Sequence, residues 1–235
     1  MRTNILVAVP TYSGDVRFEC AGSLVELAAT FHAEGIAHRV QFIPGLVITA
    51  ARNKAATMML EGGFSHLLFV DADIGFNADI ILSMVKAAKA ILACAYLKRE
   101  LPSGYLEGGQ LSELLQSNGS YAVVPSSVTS NNDITQVKRV GMGLMLIGRI
   151  VFETLKGKCE IYNLDGQQIE FFRMGVFEGE FRTEDYDFCE RWAQEGGEIF
   201  VMPQADIVHT GPIALQGCYA ASLTGSVSDG SDAAR

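Results

Sequence analysis

Along the first hundred positions, apolar residues fall in short unbroken runs that alternate with stretches of helical spacing. Residues 4–9 (NILVAV) form the first run, closed by Pro10, and read as a buried strand. Ala21, Leu24, Val25, Ala28 and Phe31 then recur at helical intervals, which predicts a helix stopped by Gly35. Residues 39–43 read as a second strand, and Ala51, Ala55, Met58 and Met59 mark a second helix ended by Gly62 and Gly63. Residues 66–70 (HLLFV) are another buried strand, running directly into Asp71-Ala72-Asp73. Ile81, Met84, Val85 and Ala88 mark a third helix with Asn77 as its N-cap, and residues 91–97 follow as a strand. Strands that are continuously apolar are those covered on both faces. Their alternation with helices predicts a mostly parallel α/β sheet flanked by helices.

The second half is less regular. Residues 98–138 are polar and rich in Gly, Ser and Asn, with one strand expected at 121–124. Residues 140–147 return as a strand and 150–155 as a short helix. Thr183 is placed to cap a helix over 184–195, with Phe188, Cys189 and Trp192 inward. Residues 198–202 form a further strand, and Ile207, Val208 and His209 should lie near the sheet. No linker interrupts residues 1–217, which predicts one domain with two unequal lobes, the second smaller, and a flexible tail at 218–235.

Composition narrows the class. With 49% hydrophobic residues the chain must bury a core, which excludes a disordered segment. A net charge of −9 without a basic stripe argues against nucleic acid and anionic membrane surfaces. No apolar run approaches the roughly 18 residues that span a bilayer. The run at residues 5–9 is too short for a signal-peptide core. The five cysteines are scattered, with no CxxC pair. Neither a zinc site nor a disulfide framework is predicted, and a reducing cytoplasm is the expected compartment.

The strongest chemical signal is LLFVDADIG at residues 67–75. Ligands of open α/β sheets bind beyond the carboxyl ends of strands, where Asp71 and Asp73 would sit. The two acids read either as the partial shell of a divalent ion shared with phosphates or as an acidic turn with Asp73 capping locally. Phosphatases of the haloacid dehalogenase type also use Asp-x-Asp after a strand, normally the first strand, whereas this pair is central. Residues 181–192 (FRTEDYDFCERW) put Glu184 and Asp185 in a first helical turn, either complementing the macrodipole or aiming a base across a cleft. Asp187 is expected on the solvent side. His209 reads as a structural histidine or a metal ligand, and Arg52 as a surface arginine or a diphosphate contact. Gly141-Met142-Gly143 lacks the spacing and the strand-to-helix context of a dinucleotide loop.

In order and spacing, these pieces resemble glycosyltransferases of the GT-A fold, close to the family 2 type. The resemblance rests on VPTY (9–12), ARNKAATMML (51–60), FVDADIGFNADIILSMV (69–85), VGMGLMLIGRIVFETL (140–155) and TEDYDFCERW (183–192), and covers about residues 4–212. It implies a Rossmann-like GT-A domain, a nucleotide-sugar donor such as a UDP-sugar, a divalent ion (Mn²⁺ or Mg²⁺), and a glycan or other hydroxyl acceptor. Pro10, Thr11 and Tyr12 would line the nucleoside pocket, with Arg52, Asp71 and Ala72 against the donor. Asp73 would bind the metal, with Asp71 nearby and His209 as a second ligand. Asp185 or Glu184 would be the base, with inversion at the anomeric carbon, and residues 98–138 would border the acceptor cleft. The chain departs from the family at Ser13 and lacks an evident acid around 42–45. The alternatives are a haloacid-type phosphatase using Asp71 and Asp73, and a noncatalytic nucleotide-sugar binder.

Overall fold

The computed structural model describes residues 3–98, 121–126, 134–211, 214–218 and 220. Most of the expected flexible tail at 218–235 and most of the polar stretch 98–138 therefore fall outside the described residues, although Cys218, the tail's first residue, ends a strand. In the first half the expected alternation is present. Asn4–Thr11 (β1) leads to Phe18–Ala33 (α1), Ala37–Pro44 (β2), Ile48–Glu61 (α2) and His66–Val70 (β3). The two-residue Ile74–Gly75 (β4), Ala78–Ala87 (α3) and Ile91–Ala93 (β5) follow. Asn77 caps α3, its side-chain oxygen accepting the Asp79 N–H at 2.8 Å. Val25 is a correction: it is 72% exposed on the outer face of α1, whose packing is carried by Leu24, Leu27 and Phe31.

The second half is built from shorter pieces. Val123–Pro125 (β6), Thr135–Val140 (β7) and Leu144–Gly148 (β8) precede Arg149–Leu155 (α4). Two hairpins follow, Ile161–Asn163 (β9) with Gln167–Ile169 (β10) and Gly175–Phe177 (β11) with Glu180–Arg182 (β12). Glu184–Gln194 (α5), Ile199–Val201 (β13), Asp206–Thr210 (β14) and Ala214–Cys218 (β15) complete the order.

The central sheet has the order β2-β1-β3-β8-β5-β13-β7-β6, and only β7 and β8 run against the other strands. The single strand expected over 140–147 is thus two. At residues 141–143 the chain leaves its place beside β13 and crosses the end of β5 to pair between β3 and β5. A second sheet, β15-β14-β4, stands apart from the first, and it holds His209.

Alternate residues of β1 feed two cores. Leu6 and Ala8 join Met59, Phe152, Phe188 and Trp192 beneath α2, α4 and α5. Ile5, Val7 and Val9 join Leu24, Phe31, Ile81 and Met84 beneath α1 and α3. This is the α/β class expected, a mostly parallel sheet between two helical layers. Cys20, Cys94, Cys159 and Cys189 are free thiols, and no helix among the described residues is long and apolar enough to cross a membrane.

Candidate functional site

The carboxyl end of β3 delivers Asp71 and Asp73 to one place. The Asp71 N–H donates to the Gly143 carbonyl at 2.8 Å, and the Asp71 carbonyl accepts from Ile74 at 3.0 Å, which turns the chain back on itself. β4 then pairs with β14 so that His209 stands opposite Ile74. That pairing brings a histidine from far along the chain next to Asp73, with His209 Nε2 at 3.7 Å from Asp73 Oδ2. His209 Nδ1 lies 2.7 Å from the Leu97 carbonyl oxygen. A carbonyl can only accept, so Nδ1 carries a proton, and Nε2 is the nitrogen that faces Asp73.

On the other side stands Arg52, from the first turns of α2 and only 2% exposed. It is no surface arginine. Its Nη2 donates to Asp71 Oδ1 at 3.0 Å and its Nε to Glu184 Oε1 at 3.2 Å, while its guanidinium lies over the Phe69 ring at 5.1 Å. Burial opposes the Arg52 charge, but Asp71, Glu184 and Asp185 outweigh it, and its pKa lies above the usual arginine value. One buried cation therefore ties the acids after β3 to the acids that open α5.

The first turn of α5 divides its three acids among three tasks. Glu184 is buried against Arg52. Asp187, expected on the solvent side, is instead fully buried and pairs with Arg173 at 2.8 Å and Arg191 at 3.0 Å. Arg191 stands one turn further along α5 and Arg173 comes from the chain between β10 and β11, so the acid is held between its own helix and that chain. Asp185 has a different setting. Its Oδ1 accepts from the Thr183 hydroxyl and from the Tyr186 N–H, and Oδ2 has no hydrogen bond among the described residues. Thr183 thus occupies the cap position but spends its hydroxyl on Asp185 rather than on the helix backbone. Burial pushes the Asp185 carboxyl above its usual range, and the neighbouring Glu184 charge adds to that. Asp71 is likewise pushed up by burial, against the pull of Arg52.

A cleft beside these groups is lined by Pro10, Tyr12, Leu46, Ile48, Asp71, Ala72 and Asp73. Tyr12 is 78% exposed, an aromatic face open to solvent at its rim. Thr11 is buried and does not line it; its carbonyl accepts from Gly14 and Gly45 and shapes the rim from below. Of the residues singled out from the sequence, Asp71, Asp73, His209, Arg52, Glu184 and Asp185 converge, with Pro10, Tyr12 and Ala72 at the cleft. Sequence reasoning missed Tyr96. Its ring meets the His209 ring edge-on at 5.1 Å, and Asp71, Asp185 and Arg52 all act on its hydroxyl. The signal was there: Tyr96 follows the carboxyl end of a buried strand, as Asp71 does.

Asp73 and His209 present a carboxylate oxygen and an imidazole nitrogen to one point, a donor set that suits a divalent ion. Among the described residues no three His, Cys, Asp or Glu side chains cluster as a closed metal site. A pair of protein ligands fits an ion that takes its remaining oxygens from phosphates and water.

No family model matches the sequence, and no curated protein matches it. Among solved structures, A197 from STIV is similar at a TM-score of 0.51 and 15% identity, over 90% of this chain and 86% of that one. A UDP-glucose pyrophosphorylase complexed with UDP-glucose has a TM-score of 0.44 at 10% identity, covering 96% of each chain. A Drosophila galactosyltransferase variant in complex with manganese, UDP-Gal and xylobiose has a TM-score of 0.41 at 13% identity, over 85% of this chain and 64% of that one. The likeness to A197 supports the fold.

Proposed function

We propose that the protein is a glycosyltransferase that moves a sugar from a nucleotide-diphosphate sugar, such as a UDP-sugar, to an acceptor hydroxyl. The observation that carries this reading is the joining, through buried Arg52, of the acid pair after β3 to the acid pair opening α5. One pair borders a cleft with an exposed aromatic rim, suited to a nucleoside. The other offers a carboxylate with one oxygen left to accept a proton.

Asp73 and His209 would hold the divalent ion, with Asp71 close by. When bound, the ion neutralises charge that builds on the leaving diphosphate. An imidazole ligand favours Mn²⁺ over Mg²⁺, which prefers oxygen alone. The protein's own groups do the rest. Pro10, Tyr12 and Ala72 seat the nucleoside and sugar, and Arg52 fixes the Asp71 carboxylate so that it cannot swing into the donor's place. Glu184 is committed to Arg52, which leaves Asp185 as the base that takes the acceptor proton as the new bond forms. A raised Asp185 pKa makes that carboxylate a stronger base. A base facing the anomeric carbon from the acceptor side gives inversion.

The test is calorimetry with UDP, GDP, CDP and ADP, in manganese and in chelator. One diphosphate should bind at least tenfold more tightly in manganese, and Asp73→Ala should remove most of that gain. Equal affinity in both buffers would overturn the metal role, and no binding of any diphosphate would overturn the reading itself.

A further inference from the structure

Gly141 and Gly143 take no part in the reading above, and neither does Tyr96, yet they are fitted to one another. A Cβ on Gly141 would stand 2.4 Å from the Tyr96 hydroxyl oxygen, and one on Gly143 would stand 2.7 Å from ring atom Cε1. Neither approach is possible for a real side chain, so the tyrosine keeps its place only while both positions are glycine. Gly143 lies flat against the Tyr96 ring, and its carbonyl accepts the Asp71 N–H at 2.8 Å. The glycine segment is therefore a floor on which Tyr96 and Asp71 are both anchored.

The opposite side of Tyr96 bears on His209. The two rings meet at 79°, with centroids 5.1 Å apart, and the next residue, Leu97, supplies the carbonyl that accepts from Nδ1 at 2.7 Å. The backbone carrying both contacts is itself held, by the Ala122 N–H on the Tyr96 carbonyl at 2.9 Å and by a bridge from Leu97 to Tyr121. One hydrogen bond alone lets an imidazole rock about the Nδ1···O line. A ring packed edge-on against it removes that freedom. Partners of this kind on the far nitrogen are what orient histidines that bind through the near one.

We propose that Tyr96 is a positioning residue: seated on Gly141 and Gly143, it acts with the Leu97 carbonyl to hold His209 as the Nδ1–H tautomer with Nε2 turned to Asp73, before any ion arrives. Only the purpose of that orientation rests on the proposed function; the orientation itself does not.

The test is imidazole ¹⁵N NMR on the metal-free protein, with the His209 signals assigned by His209→Gln. Wild type and Tyr96→Phe, which keeps the ring, should each show a single Nδ1–H tautomer. Tyr96→Leu and Gly143→Ala should show mixed tautomers and a fast-exchanging Nδ1 proton. If Gly143→Ala does not fold, Tyr96→Leu carries the test, with circular dichroism checking its fold. In parallel, the gain in nucleoside diphosphate affinity from manganese should fall about tenfold or more in Tyr96→Leu and be restored in Tyr96→Phe. A folded Tyr96→Leu protein with the wild-type His209 tautomer overturns the inference. A wild type whose nucleotide affinity ignores manganese, with the tautomer pattern as expected, overturns the metal reading and leaves the role of Tyr96 standing.

Discussion

Residues 4–93 and residues 134–211 hold their strands in place by different means. In the first stretch, β1 and β2 run for eight residues in unbroken parallel register, and β1 is buried on both faces. In the second, β9 to β13 are three residues each, too short to hold themselves by ladder bonds alone. Side chains reach backbone instead. Asn53 Oδ1 accepts the Phe172 N–H at 2.7 Å while its Nδ2 donates to the Phe172 carbonyl at 3.0 Å and the Tyr162 hydroxyl at 3.2 Å. Thr57 accepts from Ile169, and Arg191 donates to the Phe171 carbonyl. The Arg149 guanidinium closes the end of α2 on the carbonyls of Met59, Leu60 and Phe64. Burial spreads its effect over many residues, whereas these ties concentrate it in a few. Arg52 and Asn53, neighbours on α2, are where the first stretch takes hold of the second.

The largest effect should follow from Arg52→Met. It leaves Asp71 and Glu184 facing each other without their shared cation, and breaking such a buried pair typically costs about 3–5 kcal/mol. Urea unfolding should read that loss at neutral pH. A loss under about 1 kcal/mol would mean that the two acids are protonated or solvated and that Arg52 does not join the halves.

Asn53→Ala comes next. It strips three hydrogen bonds and leaves the Phe172 backbone groups buried and unpaired, at about 1–3 kcal/mol for each group left so. Hydrogen exchange should quicken over 161–173 while β1 and β3 keep their protection. Uniform loss of protection would show that the halves are one cooperative unit and erase the contrast.

How much of this could be read beforehand follows the same division. The strands and helices up to residue 93, the two-residue β4 apart, were legible because burial on both faces leaves continuous apolar runs and helical spacing. Asp71 and Asp73 were legible for the same reason, since they end such a run. Three features were not. The break at 141–143 is invisible within an apolar stretch, because it depends on which neighbours β7 and β8 take across the sheet. Asp187 looked exposed because Arg173 meets it only in three dimensions; Arg191, one turn further along the same helix, does not by itself say that the pair is buried. Tyr96 offered only its position after a buried strand, and what it packs on depends on two glycines over forty residues away.

The smallest expected effect is one of sign. Asp185 has a raised pKa in the folded state, so there it binds its proton more tightly than in the unfolded chain. Stability then falls as pH climbs from the ordinary carboxylate value of 3.8 through the folded one, and the penalty is complete above that. Asp185→Asn keeps the acceptor for Thr183 and Tyr186 and removes the charge. It should therefore raise the melting temperature slightly at pH 7, with the gain vanishing toward pH 4 and below. A helix-dipole role for Asp185 predicts the opposite, a small loss at neutral pH.

The same variant bears most directly on the central claim. The measurement is the single-turnover rate of nucleoside diphosphate release from a nucleotide sugar by Asp185→Asn, taken from pH 4 to pH 8, with donor affinity measured alongside. If Asp185 is the base, the rate at neutral pH drops by about 10²–10⁴, the acidic limb of the wild-type profile disappears, and donor affinity stays within about twofold. A stable, donor-binding Asp185→Asn protein with the wild-type rate and the wild-type profile would contradict the account.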